Sequence, residues 1–183
     1  MEKLTFPQVM KGSAAISGCL TAVLVLAWRH CPSGFLLTLC ITFGTTFYHF
    51  AMRLMVGTIV PWLAKGRIFG TEDWFRQREW EPTLYKRLRV KSWKDRMPTY
   101  DPGSYSLKEN TLSQIITNMC VSELVHQVIV ILSFLPLLVI PYLGGWPAFV
   151  ITSVLAACLD TSFVILQRYN RPRLQRILQK HPK

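Results

Sequence analysis

CVSELVHQVIVILSFLPLLVIPYL, Cys120–Leu143, is a run of 24 residues with one carboxylate, one imidazole and no lysine or arginine. As an α-helix it would extend about 36 Å, enough to cross a hydrocarbon layer of ~30 Å. Three further apolar runs lie at Gly12–Trp28, Phe35–Trp62 and Trp146–Leu166. None alternates polar and apolar residues as a barrel strand would, so helices are the remaining way to satisfy the backbone in lipid. The predicted fold is all-α: a polytopic membrane protein with four transmembrane helices, one integral membrane domain over residues 1–183. A basic, aromatic-rich segment over 64–119 joins spans two and three.

Composition agrees. Half of the 183 residues are hydrophobic and only 17% are charged, yet the formal net charge is +11. Apolar and basic residues must therefore be segregated along the chain. Lys3 and Lys11 flank the first run as in a signal peptide, but it ends Ala27-Trp28-Arg29-His30, without a small-x-small cleavage site. Ile16-Ser17-Gly18-Cys19 resembles a lipoprotein cleavage box, but it precedes the apolar core instead of following it. The run is expected to remain as span one.

The cations set the orientation. Eleven lysines and arginines fall between Lys65 and Lys108, and six from Arg168 to Lys183. The turns Arg29–Gly34 and Leu143–Trp146 carry one between them, Arg29. Positive-inside bias predicts a multi-pass protein of the plasma membrane, with both termini and the middle segment cytoplasmic. Within that segment Trp74, Phe75, Trp80, Tyr85 and Trp93 interleave with the cations. Pro82 can start a helix with Leu84, Tyr85 and Leu88 on one face and Lys86, Arg87 and Lys91 on another, the pattern of a helix lying among lipid headgroups. Beside four spans, this pattern points to membrane lipids as partners and not to nucleic acid. A loop whose charge only fixes topology is the plainer alternative. Thr99–Asn110 reads as a loop.

Five scattered cysteines without a C-x-x-C pair, no H-E-x-x-H pair, no glycine-rich phosphate loop and no G-x-S-x-G elbow leave no expectation of a metal or bound cofactor. Ionisable residues inside spans are costly and by default mark function. Counted from the outer edge at 1.5 Å per residue, His49, His126 and Asp160 lie roughly 21–22 Å deep, Arg53 and Glu123 near 27 Å, and Arg168 near 33 Å. Glu123 and His126 are i, i+3, and His49 and Arg53 are i, i+4, so each pair shares a helix face. His126 is the candidate general base, because imidazole titrates near neutrality. Glu123 or Asp160 would orient it. His49 and Arg53, with Arg168, Asn170 and Arg171 where span four leaves the membrane, are candidate substrate-binding residues. Pro172 is expected to limit the helix there. The plainer readings are an interior histidine for His49, snorkelling for Arg53 and Arg168, and a structural ion pair between Glu123 and Arg53.

Four motifs run in order along the second half of the chain. They are Trp74-Phe75-x-x-Arg78-x-Trp80, Arg89-Val90-Lys91-x-Trp93-Lys94-Asp95-x-Met97-Pro98, Glu123-Leu124-x-His126 and Gln167-Arg168-Tyr169-Asn170-Arg171-Pro172-Arg173-Leu174. In these the chain resembles the glycosyl-4,4'-diaponeurosporenoate acyltransferases, small membrane enzymes of bacterial carotenoid biosynthesis. The resemblance implies transfer of a fatty acyl chain to a sugar hydroxyl of a glycosylated carotenoid. Its donor, acyl-CoA or acyl-carrier protein, would be a co-substrate and not a bound cofactor. The chain departs from the family pattern at Asn118–Val121 and at Asp160, where the resemblance leads one to expect asparagine. That favours Glu123 as the orienting group and leaves a different glycolipid or lipid alcohol open as acceptor. Rival classes are a small four-span enzyme of another kind, such as a glutathione-dependent or methyl-transferring one, which would need thiol- or nucleotide-binding signatures not found in the sequence, and a non-enzymatic adaptor whose polar residues join helices. Oligomeric state is not legible.

The topology has a direct test. Reporter fusions after Pro98 and at Lys183 should read cytoplasmic and one in the Gly144-Gly145 turn external. A cytoplasmic signal from that turn would overturn the orientation and the depth map together.

Overall fold

The computed structural model describes residues 5–180, and every regular element among them is helical. The long helices are α1 (Phe6–His30), α2 (Gly34–Ala64), α5 (Leu112–Leu132) and α7 (Trp146–Lys180). Between α2 and α5 lie the short α3 (Glu81–Arg87) and α4 (Val90–Trp93), and between α5 and α7 the short α6 (Ile140–Leu143). Lys3 and Lys183, which entered the charge count, lie outside the described residues.

Helix starts follow local chemistry. At α5 the Gln114 side chain accepts from the Thr111 N–H at 2.8 Å, and the Thr111 hydroxyl accepts from the Gln114 N–H at 3.2 Å. This reciprocal box satisfies two otherwise orphaned donors. At α2 the Ser33 hydroxyl accepts from the Leu36 N–H at 3.2 Å. Pro82 opens α3 as expected, with Tyr85 buried and Leu84 half-buried, but Leu88 is exposed.

Among the described residues four helical stretches are long and apolar enough to cross a membrane: Phe6–His30, Gly34–Ala64, Leu112–Leu143 and Trp146–Lys180. The protein buries only 11–33% of their most apolar windows in itself. Val23, Phe35, Ile131, Leu138 and Leu155 stand exposed, so lipid is the solvent that suits these surfaces.

Two expectations need correction. The third span is not one α-helix: α5 ends at Leu132, and a 3-10 stretch over Leu135–Val139 with buried Pro136 follows before α6. A 3-10 helix rises ~2.0 Å per residue against ~1.5 Å, so a count with one rise per residue from Pro141 does not hold across this stretch. Nor does Pro172 limit its helix, since α7 runs through it to Lys180. Proline removes one donor to the Arg168 carbonyl, but side-chain bonds from Arg168, Arg171 and Gln175 tie the helix down on both sides of it.

The chain forms two compact units, Met1–Gly57 with Val128–Leu159, and Thr58–Gln127 with Asp160–Lys183. In the first, Gly18 admits the Phe47 ring, which a Cβ there would meet at 3.0 Å. Its hydroxyls bond back to their own helices: Ser17 to the Ser13 carbonyl, Thr45 to Ile41 and Ser133 to Ile129, at 2.6–2.8 Å. Such bonds satisfy polar groups where no water is at hand. Tyr48 donates to the Leu132 carbonyl at 2.8 Å, where α5 stops.

The second unit packs the connecting segment on α5 and α7. Phe75, Tyr85 and Val90 are its buried anchors. Asn118 donates to the Ser104 carbonyl at 2.8 Å, and Gln167 reaches the Tyr105 hydroxyl at 3.3 Å and Ser122 Oγ at 3.2 Å. The stretch 99–110 is loop apart from a 3-10 turn at Gly103–Tyr105. Burial would raise the Glu72 carboxyl, but N–H groups including those of Phe69 (2.7 Å) and Gly70 (2.9 Å) hold it below the usual carboxylate range. The bend so formed puts Gly70 at φ +79°, with Ile116 Cγ2 only 2.9 Å from where a Cβ would sit.

Gly70→Ala should therefore lower the thermal-unfolding midpoint of the detergent-solubilised protein, by roughly 1–3 kcal/mol of backbone strain plus the clash. Gly57→Ala, inside α2 with nothing within 4 Å of its Cβ position, should leave it unchanged or raise it. Equal midpoints for the two variants would show that Gly70 constrains nothing.

Candidate functional site

Along the second half of α7 the buried positions are Asp160, Phe163, Gln167 and Arg171, spaced 3, 4 and 4. That is the inward stripe of a helix, but three of its four members are polar. A stripe of this composition must find partners, and the second unit supplies them.

Asp160 Oδ1 lies 2.8 Å from His126 Nδ1, and the Phe163 ring stacks flat on the imidazole with centroids 4.6 Å apart at 10°. The Asp160 side chain is 2% exposed and that of His126 20%. A carboxylate at Nδ1 accepts that nitrogen's proton in a hydrogen bond, which selects the tautomer with a basic lone pair on Nε2. No described residue bonds Nε2. One side of the ring is oriented and covered, and the other nitrogen remains open. Of the two candidate orienting groups, Asp160 is the one bonded to the imidazole.

Glu123 does something else. It is fully buried and receives Arg168 Nη1 at 2.7 Å, Arg171 Nη1 at 2.5 Å and Gln127 Nε2 at 2.9 Å. Arg168 goes on to Glu81 Oε1, with Nε at 3.0 Å and Nη2 at 2.7 Å, and to the carbonyls of Trp74 (3.3 Å) and Arg76 (3.0 Å). All five of its N–H donors are thus committed. Arg171 Nη2 donates to the Phe75 carbonyl, and its guanidinium lies 5.3 Å from the centre of the Phe75 ring. Its Nε has no hydrogen-bond partner among the described residues. Tyr85 completes the cluster, donating to Glu81 Oε2 at 2.6 Å. Burial, and then that bond to Glu81, push its phenol well above the usual range, so it remains a donor. Two carboxylates and two guanidiniums therefore balance in one network that ties α3, α5, α7 and the Trp74–Arg76 backbone together.

Trp74 Nε1 donates to Gln127 Oε1 at 3.0 Å, which links this network to the residue beside His126. Trp74 and Trp80 are each 62% exposed and, with Arg78, Glu81 and Arg168, line a cleft of about 290 Å³. Asn170 is half-buried on α7. His49 and Arg53 belong to the other unit, where His49 is buried and Arg53 donates to the His49 carbonyl and the Ala156 carbonyl, each at 3.2 Å. Sequence reasoning missed Glu81, Tyr85 as its donor, and Gln127. The i, i+4 spacing of Glu123 and Gln127 was a usable signal. For Glu81 the signal was a lone carboxylate before a proline in a segment crowded with cations.

The network has a double-mutant test. Glu123→Ala leaves the buried Arg171 and the part-buried Arg168 short of charge and should cost about 3–5 kcal/mol, read as lost monodispersity or a lower melting midpoint. Adding Arg171→Met should recover part of that loss. Strictly additive losses would mean that the two residues are not coupled.

The chain matches the family described as glycosyl-4,4'-diaponeurosporenoate acyltransferase over residues 71–180. No curated protein and no solved structure matches it. The matched stretch holds the whole of the dyad and of the ion network, and covers more than half of the chain: this protein belongs to the glycosyl-4,4'-diaponeurosporenoate acyltransferase family.

Proposed function

We propose that the protein transfers a fatty acyl chain to a hydroxyl of a glycosylated lipid, a glycosyl-4,4'-diaponeurosporenoate carotenoid being the acceptor its family suggests. The observation that carries this reading is the His126–Asp160 pair with its open Nε2. In the transfer, Nε2 takes the proton of the acceptor hydroxyl as its oxygen bonds to the acyl carbonyl carbon. The bond from that carbon to the donor's leaving group then breaks, and the imidazolium returns the proton to the departing thiolate. Asp160 steadies the imidazolium. A membrane adaptor would have no use for an imidazole oriented on one side and open on the other.

Arg168 and Arg171 serve this site by fixing its walls, since their donors are bound to Glu123, Glu81 and backbone carbonyls. Exposed Trp74 and Trp80 offer the flat apolar faces with polar rims on which a sugar ring rests. Positive-inside bias places the termini and the segment 64–119 on the cytoplasmic side of the plasma membrane. There α3, with Lys86 and Arg87 exposed, would lie among headgroups, and a thioester donor would arrive from the cytoplasm. His49 and Arg53 of the first unit and Asn170 of the second are proposed as further substrate-binding residues.

The test is transfer of a labelled acyl group from a thioester to extracted glycolipids by the purified protein. His126→Gln should lose at least ~100-fold in turnover while remaining monodisperse, the range general-base catalysis commands. Asp160→Asn should lose a comparable factor, because an amide can stabilise the wrong tautomer. Near-normal transfer by His126→Gln would make the histidine structural, with His49 the next candidate.

A further inference from the structure

Five cations in the second unit lack what Arg168 and Arg171 have. Lys86, Arg89, Lys91, Arg173 and Arg176 line one groove of about 790 Å³, and no carboxylate lines it with them. Among the described residues none of the five pairs with an acid. Arg173 lies over the Tyr169 ring at 4.7 Å and donates to its hydroxyl at 2.8 Å, contacts that leave its charge unneutralised. Like charges gathered in one concavity repel, and an anion bound there relieves that repulsion.

The backbone is bent to gather them. Arg89 sits at φ +49°, ψ +41°, the one left-handed non-glycine residue among those described. In an unbroken helix Lys91 would stand about 140° around the axis from Lys86. The left-handed residue ends α3, starts α4 and lets Lys86, Arg89 and Lys91 share the same groove. Arginine holds that conformation at a cost, and local strain of this kind concentrates at ligand clamps. Its carbonyl is fixed by the Ser92 N–H and the Ser92 hydroxyl, each at 2.8 Å.

We propose that this groove binds the phosphates of a nucleotide-borne thioester, an acyl donor of the coenzyme A type. This rests on the acyltransferase reading and adds the donor's class and its site. Two features select a nucleotide donor over a lone phosphate or a lipid headgroup. The groove has a volume within the range of small-molecule sites, and Pro82, Tyr85 and Tyr169 add apolar lining beside the cations. Arg173 also follows Asp160 by 13 residues on α7, a rise of roughly 20 Å. That is the kind of reach an extended pantetheine arm has, so phosphates held here would bring a thioester toward His126.

The experiment is equilibrium binding to the full chain in phosphatidylcholine nanodiscs, with coenzyme A and pantetheine as probes. Coenzyme A should bind saturably and lose affinity as salt rises, and pantetheine, which lacks the nucleotide and phosphates, should not. Arg89→Asn keeps a residue that tolerates the left-handed conformation while removing the charge. Arg176→Gln removes one from the exposed side of α7. Each should weaken coenzyme A by roughly tenfold or more, the worth of a charge-assisted hydrogen bond. No saturable binding at millimolar coenzyme A, equal binding of pantetheine, or affinity untouched by both variants would overturn the proposal. So would full competition of coenzyme A by phosphatidylglycerol added to the nanodiscs, the mark of a headgroup site. Acyl transfer on the same samples keeps the two ideas apart. Groove-dependent coenzyme A binding without transfer to any glycolipid would sink the acyltransferase reading alone. Transfer whose donor saturation ignores both variants would sink the groove alone.

Discussion

Glu123 takes a guanidinium on each of its oxygens, Arg168 on one and Arg171 on the other, with no exposure to solvent. A carboxylate in that position is tolerable only because its charge is met at once, and the arginines only because Glu81 supplies the second negative charge. The cluster closes on backbone as well as side chains: the Trp74, Phe75 and Arg76 carbonyls all accept from it. A segment that would otherwise be a long basic loop is thereby pinned to α5 and α7. Every feature of the candidate site depends on that pinning, from the exposed face of Trp74 to the placement of α3.

The same unit thus uses cations in two ways. Arg168 and Arg171 are neutralised and spent on architecture, while the groove beyond Tyr169 keeps its charge available. Tyr85 sits between the two, its hydroxyl on Glu81 and its ring edge-on to Tyr169 at 5.6 Å, 83°. It separates a balanced cluster from an unbalanced one. Without such a boundary Glu81 could turn toward the groove cations, and both the buried arginines and the anion site would lose their definition.

Much of this was legible in the sequence, and the rest was withheld for physical reasons. Hydropathy gives the four membrane-length segments because span length and apolarity are local properties. The placement of His126 with a carboxylate followed from the cost of ionisable groups in spans. Which carboxylate it would be did not. Glu123 and Asp160 are both near in helical register or depth, and the choice turns on which is the stronger partner for two arginines that sequence order places far away. Depth counting went astray at Pro136, because the count assumed one rise per residue and the chain changes helix type there. Pro172 misled in the opposite sense, since intrinsic helix preference was overridden by side-chain bonds on either side of it.

The division of acids follows from geometry of the donors. A carboxylate can take one N–H from each of two guanidiniums, one on each oxygen, as Glu123 does from α5 with Arg168 and Arg171, while the Arg168 fork of Nε and Nη2 goes to Glu81. Asp160 has a side chain shorter by one methylene and lies one helical turn before Phe163, whose ring stacks on the imidazole. Its Oδ1 meets the imidazole edge at 2.8 Å. Glu123 reaches both arginines with one methylene more than Asp160 uses to reach the ring. The position of a base that must be oriented yet open, and of a strut that must be closed on all sides, is therefore set by side-chain length as much as by charge.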